Sequence, residues 1–273
     1  MNTSKLHALH GLDRDIRQSL LSQLRDLWTH TSTALEGNTL TLGETKFVIE
    51  EGLTVAGKPL KDHQEVMGHA RAIELIYAGL AEAVTESHLF DLHRAVQSEF
   101  VLDTHKPYGA WKVESNGTYA VTGDGRQTFI EYAAPEHVPI LMAQWLVELN
   151  RSLGIELSEA EAISAYAKLH LGFVHIHPFW DGNGRLARLM SNIPMLRSGH
   201  LPLVIDSRDR KTYIDILASY ERATGQLTAA TSVWPSHAPD AAFRAFCQRS
   251  YRATHALIEQ AQTRQAERAT GRC

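Results

Sequence analysis

Residues 177–188 read HPFWDGNGRLAR and join two helical patterns through a loop rich in glycine and asparagine. The Gly-Asn-Gly run at 182–184 leads directly into the second helix. Backbone N–H groups in such a turn, with the positive end of the helix dipole, form a cradle for an anion. Arg185 and Arg188 lie three residues apart, on the same side of the first helical turn. Because two cations at a helix N-terminus are unfavourable without an anion, the stretch predicts a phosphate-binding loop.

Two further side chains of this stretch supply chemistry. Asp181 offers a hard oxygen ligand, suited to a Mg²⁺ ion that keeps its waters and bridges phosphates. His177 is a titratable base a few residues away. Together with the anion cradle and the arginines, they suit in-line transfer at a phosphorus centre. Taken singly, Asp181 could equally cap the following helix, and Phe179 and Trp180 are expected to pack.

Helical periodicity dominates the chain on both sides of this loop. Apolar spacing and break residues predict helices over 13–36, 43–52, 62–84, 86–99, 136–153, 158–173, 184–198, 209–223 and 239–268, with an interruption or bend at Pro194. One segment differs, since residues 107–135 are rich in Gly, Tyr, Val and Thr. It predicts a β-hairpin with strands near 118–122 and 127–132. The predicted fold class is therefore mainly α with one short hairpin.

Composition limits the classes of function. The chain has 273 residues and a net charge of −4, so no basic field indicates nucleic acid. No apolar run reaches the ~18 residues of a membrane span, and the N-terminus lacks the apolar stretch of a signal peptide. Cys247 and Cys273 cannot form a disulfide framework, which fits a reducing compartment. These features predict a cytoplasmic protein that binds neither nucleic acid nor membrane.

The stretch HTSTALEGN at residues 30–38 ends the first predicted helix. Gly37 and Asn38 tolerate positive φ and are suited to a helix C-terminus. Glu36 is less expected there, because a carboxylate in a last turn faces the negative end of the helix dipole at a cost of about 0.3–1 kcal/mol. A cationic partner elsewhere in the fold would offset that cost.

Residues 177–188 match the motif HPFx(D/E)GNGRxxR at every defined position, and the chain therefore resembles the Fic family. The resemblance implies a Fic fold, a helical bundle whose short β-hairpin forms a flap before the motif helix. It also implies the transfer of AMP from ATP to a Ser, Thr or Tyr hydroxyl of a protein. Doc-like relatives, which phosphorylate, carry Lys in place of the second glycine, so Gly184 favours AMP transfer.

The same resemblance implies a role for each motif residue. His177 would deprotonate the target hydroxyl, and Asp181 would hold Mg²⁺ on the α- and β-phosphates. The phosphates of ATP would be bound by Gly182, Asn183, Gly184, Arg185 and, at the γ-phosphate, Arg188. Tyr213 could lie on the adenine side or be an ordinary core tyrosine.

Partners other than ATP are less defined by the sequence. The protein target is expected to add a strand along the flap, at about 116–132. Lys112 precedes the flap where relatives commonly have Arg, which leaves contacts with the target open. Many relatives form dimers, so a homo-oligomer is possible for this chain as well.

The N-terminal region resembles that of Fic proteins in which an inhibitory segment precedes the core. Ser32 to Gly37 fit their motif (S/T)xxxE(G/N). By this resemblance Glu36 pairs with Arg188 in the position of the γ-phosphate, so that ATP is excluded or bound unproductively. The corresponding division of the chain is an N-terminal segment with the inhibitory helix, a Fic core and a C-terminal helix, at 1–45, 46–235 and 236–273.

Two alternatives to adenylyl transfer use the same site. The first is the reverse process, hydrolytic removal of AMP from a modified protein, with Glu36 positioning the water. The second is a catalytically silent, nucleotide-sensing regulator that binds ATP. The presence of both His177 and Asp181 argues against the regulator, since a protein that only binds nucleotide needs no base.

Two other patterns carry less weight. His170, His175 and His177 are close in sequence, but no HExxH motif or cysteine pair accompanies them, so the first two are expected to be core residues. Basic residues between 244 and 268 alternate with acidic ones. That pattern is more typical of a solvated helix face than of a nucleic-acid site.

Overall fold

The computed structural model describes residues 6–97, 103–121 and 127–270. Within these ranges the chain is mainly helical, with one two-stranded sheet. The helices are α1 (Arg14–Ala34), α2 (Leu42–Glu51), α3 (Leu60–Ala78), α4 (Glu86–Val96), α5 (Val138–Asn150), α6 (Glu159–Ile176), α7 (Asn183–Met190), α8 (Ile193–Arg197), α9 (Arg210–Thr224), α10 (Ala241–Ser250) and α11 (Arg252–Ala269). The strands β1 (Gly117–Val121) and β2 (Gln127–Glu131) are antiparallel, with Tyr119 opposite Phe129. The predicted fold class is confirmed.

Helix ends differ from the prediction where tertiary contacts intervene. The single helix expected over 239–268 is wrong, because the chain bends at Tyr251 between α10 and α11. There the Tyr251 hydroxyl donates to the carbonyl of Leu201, and Thr254 Oγ1 donates to that of Pro202. These two buried anchors hold the bend against the loop after α8.

One other predicted helix ends early, and one is interrupted at a proline. The helix expected over 62–84 ends at Ala78, and the Arg197 guanidinium binds the carbonyls of Leu80 and Glu82 in the segment that follows. The helix expected over 184–198 is interrupted near Pro194, as predicted, and divides into α7 and α8 just before this residue. Proline cannot donate to a preceding turn, which explains a break at this position.

Helix α6 ends directly before His177, the first residue of the motif loop. Its Ser158 cap accepts from the Glu161 backbone and forms a capping box, as the Ser-x-x-Glu spacing favours. The C-terminal half of α6 is almost entirely buried, and Trp145 Nε1 of α5 donates to the carbonyl of Leu169. Helix α6 packs against α5, α7, α8 and α10, so the residue that follows it is held from several sides.

Helix α1 packs against α2, α3 and α11 and also reaches α7. Its buried Leu24 and Trp28 belong to the same hydrophobic cluster as Trp145 of α5 and Ala261 of α11. That cluster contains residues from each of the three predicted segments, whose division at 45 and 235 stays a prediction. Helix α1 therefore lies directly against the motif helix.

Among the described residues, no helix combines the length and the apolar character that crossing a membrane requires.

Candidate active site

His177 stands at the junction between α6 and the motif loop. It caps the end of α6 in the left-handed conformation, with φ 53°, and its N–H donates to the carbonyl of Phe173 at 3.0 Å. No other non-glycine residue in the described ranges has positive φ. Such strain persists only where the surroundings determine it, and it is common at functional sites.

The His177 ring lies flat on the ring of Tyr132, with centroids 3.8 Å apart and 4° between the planes. Its Nδ1 is 3.2 Å from the carbonyl oxygen of Val174. Because a carbonyl only accepts, Nδ1 carries the hydrogen and Nε2 keeps its lone pair. Burial, with help from the Lys112 ammonium, lowers the pKa of His177 to about 3. The ring is thus neutral, and Nε2 is the nitrogen left to accept a proton.

The motif loop is held by side chains rather than by secondary structure. Asn183 bonds both backbone groups of Phe179, accepting from its N–H at 2.9 Å and donating to its carbonyl at 2.8 Å. Phe179 is fully buried and stacks on His93, whose Nε2 lies 3.2 Å from the carbonyl of Asp181. The sequence analysis predicted that Asn183 binds phosphate. In the structure its side chain instead stabilises the loop. Its backbone N–H, like that of Gly184, belongs to the first turn of α7, where N–H groups lack intrahelical acceptors.

Asp181 does not cap α7, because Gly182 occupies that position with φ 79° and no side-chain cap. The Asp181 side chain is 53% exposed, and its Oδ2 accepts from Arg185 at 3.0 Å. Arg185 is buried, donates also to the carbonyl of Val96 and lies 3.6 Å from Glu65. Arg185 therefore orients Asp181 and ties the loop to α3 and α4, while the outer face of the carboxylate meets solvent.

Arg188 is buried and nearly all of its donors are directed at α1 and α9. Its guanidinium donates to Glu36 Oε1 at 2.6 Å, to Ser32 Oγ at 3.0 Å and to the Ser32 carbonyl at 2.8 Å. A longer bond of 3.3 Å reaches the Tyr213 hydroxyl. Burial opposes the charge of Arg188, but the nearby Glu36 carboxylate outweighs it and raises the pKa of Arg188. The structure thus brings together residues about 150 positions apart.

The end of α1 places Glu36 in this position. Gly37 has φ 99°, its N–H donates to Ala34, and the N–H of Asn38 donates to Thr33. This pair of bonds is a Schellman helix end, which the Gly37-Asn38 sequence predicted. The Asn38 amide also donates to Glu65 Oε2 at 2.9 Å, which holds the turn against α3. Gly37 therefore ends the helix one residue after the carboxylate that faces Arg188.

Gly184 contacts the Glu36 carboxylate closely. A Cβ added at Gly184 would overlap Glu36 Oε1 and would lie 3.1 Å from a guanidinium nitrogen of Arg188. The carboxylate thus rests on the first turn of α7, where the sequence predicted an anion cradle. In this structure the anion beside the cradle is the protein's own glutamate.

The histidines and Tyr213 form the interior behind Arg188. Tyr213 is buried, its hydroxyl lies 3.0 Å from His170 Nε2, and burial raises its pKa to about 12. His170 and His175 are also fully buried, as expected of core residues. No group of three His, Cys, Asp or Glu in the described ranges could hold a metal ion, so the zinc alternative gains no support.

Several residues near His177 had no assigned role in the sequence analysis. They are His93, Asn116 and Tyr132, together with Lys112, which had been considered only for contacts with the target. Each contacts the motif loop or the base, yet each lies 45 to 84 positions away in sequence. The Gly, Tyr, Val and Thr content of residues 107–135 was the available signal, and it indicated β structure only.

A helical bundle with a hairpin beside an HPF loop, and with an anion cradle at the next helix, defines the Fic class of fold. The Fic/DOC family model matches residues 83–195, which include α4, the hairpin, α6 and α7. The chain belongs to the Fic/DOC family.

Curated relatives agree with this assignment. The protein adenylyltransferase fic-1 of Caenorhabditis elegans is 32% identical over 193 residues, which cover 68% of this chain and 35% of that protein. The protein adenylyltransferase Fic of Drosophila virilis is 32% identical over 214 residues, or 78% of this chain and 41% of that protein. The chain thus spans well under half the length of these relatives.

Solved structures extend the match to nearly the whole chain. A Fic domain containing signaling protein from Bacteroides thetaiotaomicron aligns with a TM-score of 0.78 and 28% identity, covering 95% of both chains. A Fic family protein from Desulfovibrio desulfuricans aligns with a TM-score of 0.60 and 26% identity, covering 88% of this chain and 65% of that one. The N-terminal helices are therefore part of the shared architecture.

Proposed function

We propose that the chain is a protein adenylyltransferase, which transfers AMP from ATP to a Ser, Thr or Tyr hydroxyl of a protein. The observation that carries the proposal is the position of His177: its Nδ1 lies 3.2 Å from the Val174 carbonyl, which leaves Nε2 to accept a proton, one loop away from the first turn of α7. The names of the curated relatives support it. So does Gly184, which leaves room for an anion where a side chain would fill the cradle.

In the proposed reaction His177 Nε2 takes the proton of the target hydroxyl. The hydroxyl oxygen bonds to the α-phosphorus of ATP, and the bond to the pyrophosphate oxygen breaks. The backbone N–H groups of Gly182, Asn183 and Gly184, at the start of α7, bind phosphate oxygens. Arg188 takes the γ-phosphate once it is free of Glu36, and Arg185 positions Asp181.

Mg²⁺ fits the residues present. The Asp181 carboxylate is orientated by Arg185 and more than half exposed, beside the start of α7. Mg²⁺ is commonly held by one or two carboxylates together with water and substrate phosphates, so a larger protein ligand set is not required. When bound there, Mg²⁺ would neutralise charge on the phosphates of ATP.

The hairpin is the proposed docking site of the target protein. Tyr119 and Phe129 form a cross-strand pair with ring centroids 5.2 Å apart, and they are 70% and 52% exposed. Exposed aromatic residues beside a free strand edge suit the addition of an extended segment as a further strand. The target would thus lie beside the Tyr132–His177 stack that follows β2.

Glu36 is proposed to inhibit this reaction. Its carboxylate lies on the first turn of α7 and pairs with Arg188, where the triphosphate would need to bind. Because like charges repel in a partly desolvated site, ATP can bind productively only after Glu36 moves. Helix α1 therefore acts as a latch, defined here as Ser32, Glu36 and their bonds to Arg188.

The direct test uses ATP labelled at two positions. Incubation with Mg²⁺ and ATP labelled at the α-phosphate should label protein, whereas label at the γ-phosphate should not be transferred. Mass spectrometry should show the added mass of one adenylyl group. Transfer of γ-label would instead indicate phosphorylation, and binding of ATP without any transfer would indicate a nucleotide-sensing regulator.

Ser32→Ala provides a graded test of the latch. The change removes the hydroxyl that accepts from Arg188 Nε but leaves the Ser32 carbonyl and Glu36 in place. A hydrogen bond to a charged group contributes about 1.5 kcal/mol or more, so we expect transfer of α-label to rise by roughly tenfold. Thr31→Ala is the matched control, because the Thr31 hydroxyl is bonded to carbonyls of α1 itself. Equal activity in the two variants would contradict the role of Ser32.

Removal of AMP from a modified protein is a second candidate activity. Glu36 is 40% exposed and uses Oε1 for Arg188. In the described ranges its Oε2 has no hydrogen-bond partner and could orientate a water molecule. Release of AMP from a pre-labelled protein by the wild type, but not by Glu36→Gly, would support this activity.

A further inference from the structure

Lys112 is a buried cation beside the proposed catalytic base. The residue is 3% exposed, and its Nζ donates to Asn116 Oδ1 at 2.5 Å. Its backbone N–H donates to the carbonyl of Pro178 at 2.9 Å, directly after His177. Lysine is almost never fully buried without an opposite charge. In the described ranges Lys112 has no carboxylate within ion-pair distance, so stability alone does not explain its position.

Asn116 continues the connection from Lys112 to the loop. Its amide donates to the carbonyl of Phe179 at 3.3 Å, and its backbone carbonyl accepts from the N–H of Tyr132 at 3.1 Å. Asn116 precedes β1 and Tyr132 follows β2, so these bonds lie at the base of the hairpin. Tyr132 in turn stacks on His177. A continuous set of contacts therefore joins the base of the hairpin to the motif loop and to His177, the proposed catalytic base.

The hairpin needs such a connection. A two-stranded hairpin is marginally stable on its own, so its placement relative to the rest of the fold depends on contacts at its base. Small errors matter here, because a displacement of about 1 Å between reacting groups can cost about 100-fold in rate. A target docked along the strands would be delivered to His177 only if the hairpin base is fixed.

We propose that Lys112 and Asn116 are positioning residues, which fix the hairpin base to the motif loop so that a docked target hydroxyl meets His177 Nε2. The inference rests on the proposed function and gives a positioning role to two residues outside the family motif. Lys112 acts through Asn116 and Tyr132 and does not itself contact the reacting atoms.

The charge of Lys112 depends on pH in the neutral range. The pH profile of the reaction is therefore a readout that a residue with only a structural role would not change. Burial lowers the pKa of Lys112 to about 7, with Glu131 of β2 acting in the opposite direction. Its other titratable neighbours are His177, at the end of α6, and Tyr132, whose ring lies 5.9 Å from Nζ. A group with a lowered pKa keeps its proton below that pKa, so Lys112 is charged below about pH 7 and loses its charge above it.

The experiment uses the full chain with Glu36→Gly, into which Lys112→Met, Lys112→Arg or Asn116→Ala is introduced. Lys106→Met is the matched control, since Lys106 is a half-buried lysine of the same segment that is placed over Trp180 and has a carboxylate partner, Asp103. We expect Lys112→Met and Asn116→Ala to lower kcat by about 10- to 100-fold with KM for ATP unchanged. Glu36→Gly alone should lose kcat above about pH 7, and Lys112→Arg should remove that alkaline loss, because guanidinium stays charged.

Amide hydrogen exchange without nucleotide separates failure of this inference from failure of the proposed function. In Lys112→Met the peptide covering 127–132 should exchange faster than in Lys106→Met. Equal exchange would overturn the inference whether or not any label is transferred. Unchanged kcat and pH profile in both Lys112→Met and Asn116→Ala, in a background that does transfer label, would also overturn it.

Discussion

Glu36→Gly is expected to raise AMP transfer by about 10- to 100-fold, the range of a typical coupling free energy between two sites. The change removes the carboxylate that rests on Gly184 and pairs with Arg188. Among the described residues, Arg188 then keeps only Ser32 and Tyr213 as partners and can bind a γ-phosphate. The cradle at the start of α7 is freed for the triphosphate by the same change.

The measurement is the initial rate of α-label transfer to the chain itself and to lysate proteins, at saturating ATP and Mg²⁺. Glu51→Gly is the matched control, because Glu51 is an exposed acid that ends α2 directly before Gly52. If the Glu36–Arg188 pair only stabilised the fold, Glu36→Gly should lower activity. An unchanged or lower rate in Glu36→Gly would therefore refute the latch.

Ligand-induced stabilisation offers an independent check of the same idea. Removing one partner of a buried ion pair is destabilising, but Glu36 is 40% exposed, so the loss here should be smaller than for a fully buried pair. Bound ATP would supply a replacement anion for Arg188. We expect ATP to raise the Tm of Glu36→Gly more than that of the wild type, because only the native state binds the nucleotide.

His177→Ala in the Glu36→Gly background is expected to reduce transfer to the detection limit. General-base catalysis contributes about 10²- to 10⁴-fold, and this change removes the imidazole of the proposed base. Binding of ATP should persist, because the cradle and Arg188 are untouched. His105→Ala, at an exposed histidine before the hairpin, is the control and should keep its activity. Substantial transfer by His177→Ala would assign the base to another residue.

The pH profile adds a further expectation about His177. Its pKa is lowered to about 3, so the ring is unprotonated at every pH above that value. Acidification from pH 7 to pH 5 should therefore cause no loss of transfer through protonation of His177. A histidine with its ordinary pKa near 6.5 would lose most of its base form over the same interval.

The sequence was most informative where structure is local. Helix periodicity predicted most of the helices, and Gly37-Asn38 predicted the end of α1 because a Schellman end depends on residues within one turn. Prediction failed at Tyr251 and at Ala78, where contacts with Leu201 and Arg197 decide where helices bend or end. These contacts join segments far apart in sequence, and no local pattern encodes them.

In the motif loop, too, the sequence predicted some features and only the structure showed others. Its residue types indicated a base, a carboxylate and an anion cradle, and the chain order placed them next to one another. Only the structure showed that the side chains of Asn183 and Arg185 are used to hold the loop. It also showed that Lys112 and Tyr132 approach His177 from the hairpin.

The sequence by itself determined the helical class and the hairpin, and it predicted a phosphate-binding motif, because these depend on residue types at short, regular spacing. It also marked Glu36 as an acid in an unfavourable helix position. The tertiary structure alone decided that this carboxylate rests on Gly184 and meets a buried Arg188. The physical reason is that the packing of α1 against α3 and α7, and not local chain geometry, sets the distance between residues about 150 positions apart.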